Sequence, residues 1–213
     1  MSGKLYYKDY LKKYCKRRLS SYEKCFEYIK NIVTDKTFNI VELGTMRMFY
    51  NQKKKSLTLN SDELENWNKD PDFFPWNGGC FTKVFSESFK NNDQIKIHTI
   101  DPSADAIKVS RNYCKENNNV FFYNMTAFEF LKKIDFKIDF LYMDHGDSGE
   151  ETCKLHLKDI KFVIQNNLLS EKAIVLNDDA IGQKIKTRLS VPFLKKMGFE
   201  TIHEGFQVLL KKT

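Results

Sequence analysis

Two acidic clusters, each directly behind an apolar run, are the residues of this chain best suited to chemistry. Phe140-Leu141-Tyr142-Met143 leads into Asp144-His145-Gly146-Asp147, and Ala173-Ile174-Val175-Leu176 leads into Asn177-Asp178-Asp179. If the two runs are neighbouring parallel strands, their ends open on one cleft and Asp144, Asp178 and Asp179 converge there. Three carboxylates in one pocket repel unless protons or a hard cation intervene, and an all-oxygen donor set suits magnesium. His145 stays open between two roles, a general base beside a reacting hydroxyl or a polar residue at the rim. Asp147 reads as a cap for the helix that follows.

Two further strand ends carry an acid. Asn39-Ile40-Val41-Glu42-Leu43-Gly44-Thr45 is a β-branched run closed by an acid and a glycine, and Gln94-Ile95-Lys96-Ile97-His98-Thr99-Ile100-Asp101 alternates until it stops at an aspartate. Apolar residues on both faces mark a buried parallel strand, where Glu42 needs a polar partner, and Gly44 allows a sharp turn and close backbone approach. In open α/β sheets ligands sit beyond the carboxyl ends of the strands, and an acid after the second strand takes a ribose diol. The expectation is a ligand carrying a nucleoside, with Asp101 on its ribose.

The elements that must position these residues follow a regular rhythm. Helical pattern over 5–34 precedes a strand at 38–43. After residue 80 the chain reads helix 81–90, strand 95–100, helix 104–117, strand 120–123, helix 126–133, strand 138–143, helix 150–167, strand 172–177 and helix 190–197. It ends in two runs, 199–203 and 206–210, that read as a β-hairpin across Glu204-Gly205. Such alternation predicts an α/β fold: a Rossmann-like doubly wound sheet of mainly parallel strands with a C-terminal antiparallel hairpin. The expected organisation is one domain over 1–213, with a helical extension (1–36) and a loop insertion (46–78). The insertion ends Asp70-Pro71-Asp72-Phe73-Phe74-Pro75-Trp76-Asn77-Gly78-Gly79, which suits either a flap over the site or an aromatic cluster packed on the core.

Composition narrows the function classes. The chain has 213 residues, a net charge of +7 and a pI near 9.0. Lysine and asparagine are spread throughout, and the cluster Lys12-Lys13-Tyr14-Cys15-Lys16-Arg17-Arg18 reads as a solvated helix face, so nucleic acid is not the expected partner. Five cysteines without metal-finger or CxxC spacing suit reduced thiols. No apolar run is long enough to span a bilayer, and the start lacks a signal-peptide core, so the expectation is a cytoplasmic protein with no membrane partner; a homo-oligomer stays open. His98, His156 and His203 read as structural.

Val41-Glu42-Leu43-Gly44-Thr45, Thr99-Ile100-Asp101 and Asp139-Phe140-Leu141-Tyr142-Met143-Asp144 together resemble the class I S-adenosylmethionine-dependent methyltransferases, over nearly all of residues 36–212. The resemblance implies S-adenosylmethionine as cofactor, held by Glu42, Gly44, Thr45, Gly79, Thr82, Asp101, Thr126, Ala127 and Asp144. The methionine carboxylate would rest at the helix start near Thr82 and the adenine near Met125-Thr126-Ala127; Thr126 reads equally as a helix cap. The chain departs from the family in lacking a contiguous GxGxG after the first strand, and Gly78-Gly79-Cys80-Phe81-Thr82 would supply that turn from behind the insertion. The run Tyr142–Asp147, with Glu151 and Thr152 after it, is similar to the metal-dependent O-methyltransferases of sugars. That likeness implies methyl transfer to a hydroxyl of a small molecule, a sugar or sugar nucleotide. Mg2+ would sit on Asp144, Asp178 and Asp179, with Asp144 or His145 taking the proton. Two alternatives stay open: an RNA or protein methyltransferase, and a non-catalytic S-adenosylmethionine-binding protein.

Overall fold

Strand β1 (Phe38–Leu43) is buried at every position, as a strand covered by helices on both faces must be. The structure, a computed structural model, describes residues 8, 11–12, 16–33, 36–45, 49–51, 56–58, 73–75, 81–147, 149–181 and 185–213. The elements after β1 are β2 (Phe49–Asn51), β3 (Ser56–Thr58), β4 (Phe73–Pro75), β5 (Ile95–Asp101), β6 (Val120–Asn124), β7 (Ile138–Met143), β8 (Leu169–Asn177), β9 (Glu200–Glu204) and β10 (Val208–Lys211). The helices are α1 (Leu19–Ile32), α2 (Phe81–Phe89), α3 (Ala104–Tyr113), α4 (Ala127–Leu131), α5 (Glu150–Gln165) and α6 (Ser190–Lys196).

Seven strands form the main sheet in the order β6-β5-β1-β7-β8-β10-β9. Strands β6, β5, β1, β7 and β8 are parallel, and β10 runs antiparallel to both β8 and β9. The chain leaves β1 for β5 on one side and later returns to β7 on the other, so the order reverses between β1 and β7. Register then sets the site. Leu43 pairs with Ile100 and with Met143, and Met143 pairs with Asn177. The next residue of each strand or loop, Gly44, Asp101, Asp144 and Asp178, therefore comes level along one edge. Val208 pairs with Asn177, which brings Gln207 opposite Asp178.

Alternation divides the core into two layers. Ile40, Phe140, Tyr142, Ile174 and Leu176 face α1 and α2, where Phe81 stacks on Tyr142 at 4.4 Å and on Phe85 at 4.0 Å between ring centroids. Val41, Leu43, Leu141, Met143 and Val175 face the other side, against Phe130 of α4, Ile160 of α5 and Leu194 of α6. Glu42, Asp144 and Asp178 are in step with the first set, so these acids point toward the α1–α2 layer.

The expected bounds shift most at α3 and β8, and the insertion expected as a loop carries strands. Helix α3 stops at Tyr113 rather than 117, because the asparagine-rich stretch behind it turns back through Asn117 N–H to Cys114 O at 2.9 Å. Strand β8 starts at Leu169 rather than 172, with a register irregularity against β7 absorbing the extra residues. Inside the insertion, β2 pairs antiparallel with β3 and with β4, Tyr50 lying opposite Leu57 and Phe74. Among the described residues, no helix is long and apolar enough to cross a membrane, and Cys25, Cys114 and Cys153 are buried free thiols.

Candidate functional site

Gly44 leaves β1 with φ +87°, in the left-handed region. A Cβ there would come within 2.6 Å of His145 Cα and 2.7 Å of His145 N. Glycine is thus required by the adjoining strand end, whose Asp144 N–H also donates to Leu43 O at 3.0 Å. The β1 turn is tied to β5 as well: Thr45 N–H donates to Asp101 Oδ2 at 3.2 Å, and Thr45 Oγ1 bonds Ser110 Oγ at 2.9 Å. Asp101 Oδ1 accepts from Ser103 N–H at 2.8 Å. Each carboxylate oxygen of Asp101 keeps a further lone pair, and the residue is only half-buried, so it can still accept from a ligand hydroxyl.

Glu42 has the partners its burial demands. Thr99 Oγ1 donates to its Oε2 at 2.5 Å, and Thr82 Oγ1 from the first turn of α2 donates to the same oxygen. Burial pushes the Glu42 carboxyl up to about 8; the two threonines oppose this, and the charges of Asp144 and Asp101 add to it. Thr82 therefore spends its side chain on Glu42. Gly79, the glycine expected to serve the same turn, lies outside the described residues, as does Trp76 of the expected flap.

Asp144, Asp178 and Asp179 do meet: one carboxylate oxygen from each lies within 4.8 Å of the others. Two cations that sequence reasoning did not place there meet them. Lys186 Nζ lies 2.8 Å from Asp144 Oδ1 and 3.3 Å from Asp179 Oδ2. Arg18, just before α1, donates from Nε to Asp178 Oδ1 at 3.0 Å and from Nη2 to Asp178 Oδ2 at 2.5 Å. Gln207 adds an Nε2 donor to Asp178 Oδ1 at 2.7 Å and another to the Tyr142 hydroxyl at 3.2 Å. Burial alone would raise the Asp144 carboxyl, but Lys186 and Arg18 outweigh it and hold Asp144 below the usual carboxylate range. Asp178 goes the other way, raised by burial and by the Asp144 charge against the pull of Arg18. Of the two, Asp144 is thus the acid held more firmly in its charged form. As a donor set for a hard cation the three acids are already engaged, Asp178 by Arg18 and Gln207, and Asp144 and Asp179 by Lys186.

His145 does not reach toward the acids. Its Nε2 bonds Asp159 Oδ2 at 2.8 Å, its ring stacks on His156 at 4.3 Å, and His156 Nε2 donates to the His145 carbonyl at 2.8 Å. With the residue 7 % exposed and its Nε2 turned to Asp159, the imidazole is built into the core beside α5, which favours neither the base role nor the rim role expected of it. Thr126 is the cap of α4 in a reciprocal capping box with Glu129, with Thr126 N–H to Glu129 Oε2 at 2.9 Å and Glu129 N–H to Thr126 Oγ1 at 3.2 Å. Ala127 is buried behind it.

The parallel β6-β5-β1-β7-β8 sheet finished by an antiparallel β10-β9 edge recurs in solved structures. A candidate methyltransferase from Streptococcus mutans in complex with SAH superposes with a TM-score of 0.56 at 13 % identity, over 90 % of this chain and 97 % of that one. A candidate rRNA methylase from Clostridium thermocellum gives 0.52 at 13 % identity, over 90 % and 95 %. A SAM-dependent O-methyltransferase from Thermotoga maritima gives 0.53 at 10 % identity, over 90 % and 64 %. This is the class I methyltransferase fold. Neither a protein-family model nor a curated protein sequence matches the chain.

On the class I methyltransferase fold of this chain, then, the acids that sequence reasoning singled out stand along one strand-end edge. The residues it missed are Arg18, Lys186 and Gln207. Arg18 sits in the run read as a solvated basic face, and its burial had no local signal, because its partner lies 160 residues away.

Proposed function

We propose that this protein is an S-adenosylmethionine-dependent methyltransferase that moves a methyl group to a hydroxyl of a small molecule, a sugar or sugar nucleotide. The observation that carries the reading is the level register of Asp101 on one side of Gly44 and Asp144 on the other, at the point where the strand order reverses. S-adenosylmethionine supplies an electrophilic methyl group on a sulfonium. Asp101 accepts from the ribose hydroxyls with the lone pairs that Thr45 and Ser103 leave open. Glu42, two residues before Gly44 on β1, and Thr82 at the α2 start shape the floor. Asp144, kept ionised by Lys186, accepts the proton of the attacking hydroxyl as the oxygen–carbon bond forms and the carbon–sulfur bond breaks. The protein's further contribution is holding oxygen, carbon and sulfur in line.

A second form of this reading adds magnesium, favoured by the three converging carboxylates. Held by Asp144 and Asp179, the ion would polarise the hydroxyl and lower its pKa. An RNA acceptor is the competing class, supported by the +7 charge and by the rRNA methylase among the similar folds. The deciding experiment is calorimetric titration with S-adenosylmethionine followed by transfer assays on sugar nucleotides, catechols and RNA. Absence of cofactor binding ends the reading; transfer to RNA alone, with steep salt dependence, moves it to the competing class.

A further inference from the structure

Between Asp144 and Asp179 the protein already holds a cation of its own. Lys186 Nζ donates to Asp144 Oδ1 at 2.8 Å and to the Asp144 carbonyl oxygen at 3.1 Å, and pairs with Asp179 Oδ2 at 3.3 Å. Two of the three ammonium donors go to Asp144, and the charge also faces the Asp179 carboxylate as an ion pair. The backbone fixes the residue as well, since Lys186 N–H donates to Asp179 O at 3.1 Å and a short 3-10 turn, Lys186–Arg188, packs beside α5. The residue is 6 % exposed. Arg18 plays the matching part for Asp178, so three carboxylates face two buried cations and one negative charge remains. A dication would have to displace Lys186 from both acids and strand a buried ammonium, or sit a few ångströms from it in poor solvent.

We propose that Lys186 is the resident cation of this site, a positioning residue that orients Asp144 and Asp179 in the place a divalent metal would take, so that the site works without metal. The proposal deepens the methyltransferase reading, and rests on it only for the reaction that Lys186 serves. The metal-binding measurement below does not depend on it.

The test titrates Mn2+ against the protein and follows the free-ion signal by electron paramagnetic resonance. Wild type and Lys186→Arg are expected to take up no Mn2+ at millimolar concentration. Lys186→Gln, which keeps length and loses charge, is expected to bind one Mn2+ at least tenfold more tightly than wild type, and Lys186→Gln combined with Asp179→Asn to lose it again. A merely structural lysine would not create a metal site when removed. Uptake by the wild type that Asp179→Asn abolishes would overturn the proposal, as would a folded Lys186→Gln protein that takes none. If Lys186→Gln does not fold, the comparison of wild type with Asp179→Asn decides alone. Where transfer is detected, full activity in excess chelator is expected, and loss restored by Mg2+ would overturn the proposal. Failure to bind S-adenosylmethionine would instead sink the methyltransferase reading and leave the Mn2+ result standing.

Discussion

Arg18 and Asp178 form a two-pronged ion pair across 160 residues of sequence, with the arginine 6 % exposed and the aspartate fully buried. Bidentate pairing of this kind is geometrically demanding, and here it joins the segment before α1 to the end of β8. Burial works against the Arg18 charge, but Asp178 raises its pKa well above the ordinary arginine value. The pair is a fixed part of the site floor rather than a surface contact.

Removing one partner should therefore be expensive. Arg18→Met leaves Asp178 without its main counter-charge and is expected to cost about 3 to 5 kcal/mol, while adding Asp178→Asn should recover most of the loss. Urea unfolding of the single and double variants checks this. Equal destabilisation in both would mean that packing, not the pair, sets the cost.

Asp101→Ala should weaken S-adenosylmethionine binding by about 1.5 to 3 kcal/mol, the worth of a hydrogen bond to a charged group. The thermal transition should fall too, since Thr45 and Ser103 lose their acceptor. Isothermal calorimetry reads the first effect, and an unchanged affinity would remove Asp101 from the ligand site.

Glu42 makes stability depend on pH in the opposite sense to a salt-bridged acid. Its native pKa is raised from 4.5 to about 8, so between these values the folded chain holds a proton that the unfolded chain has released. Stability from this group is full below pH 4.5 and declines as pH rises toward 8, by up to about 1.4 kcal/mol per pH unit. Glu42→Gln should flatten that slope in melting curves taken from pH 5 to 8. A slope identical to wild type would show that Glu42 is ionised in the fold.

Gly44→Ala adds a Cβ at 2.6 Å from His145 Cα in a backbone conformation with φ +87°. The neighbour is main chain and cannot swing aside, so the variant should lose more than about 1 kcal/mol, where a glycine replaced at an unstrained position would gain stability. Circular dichroism melts measure it, and a fall in cofactor affinity should accompany the shift. A variant as stable as wild type would mean that the two strand ends separate freely.

The strand-end acids were legible in the sequence because each closes an apolar run of sheet period, and a doubly wound sheet leaves few places for such runs to end. Strand β7 matches its expected bounds, since one buried run meets one polar junction on each side. The charge balance was not legible. Lys186 follows β8 by a loop and looks like any solvated lysine, and Arg18 lies in a basic run that composition makes commonplace. Thr126 shows the converse: Thr-x-x-Glu is a purely local signal, and the capping box it announces is present. His145 misleads, because its neighbour Asp144 carries the motif while its own ring is claimed by Asp159, which helical spacing alone does not reveal.

Gln207 bonds three elements at once: Asp178 after β8, the Tyr142 hydroxyl on β7, and Ser21 on α1. Any fragment that holds the complete polar centre must therefore run from Arg18 to Gln207, nearly the whole sequence. No shorter excerpt can be grafted onto another sheet with its charges still balanced. A circular permutant stays viable only where the new break spares both the lead-in to α1 and the β9–β10 hairpin. The centre that sits at the middle of the sheet is thus shared between the lead-in to α1 and the β9–β10 hairpin.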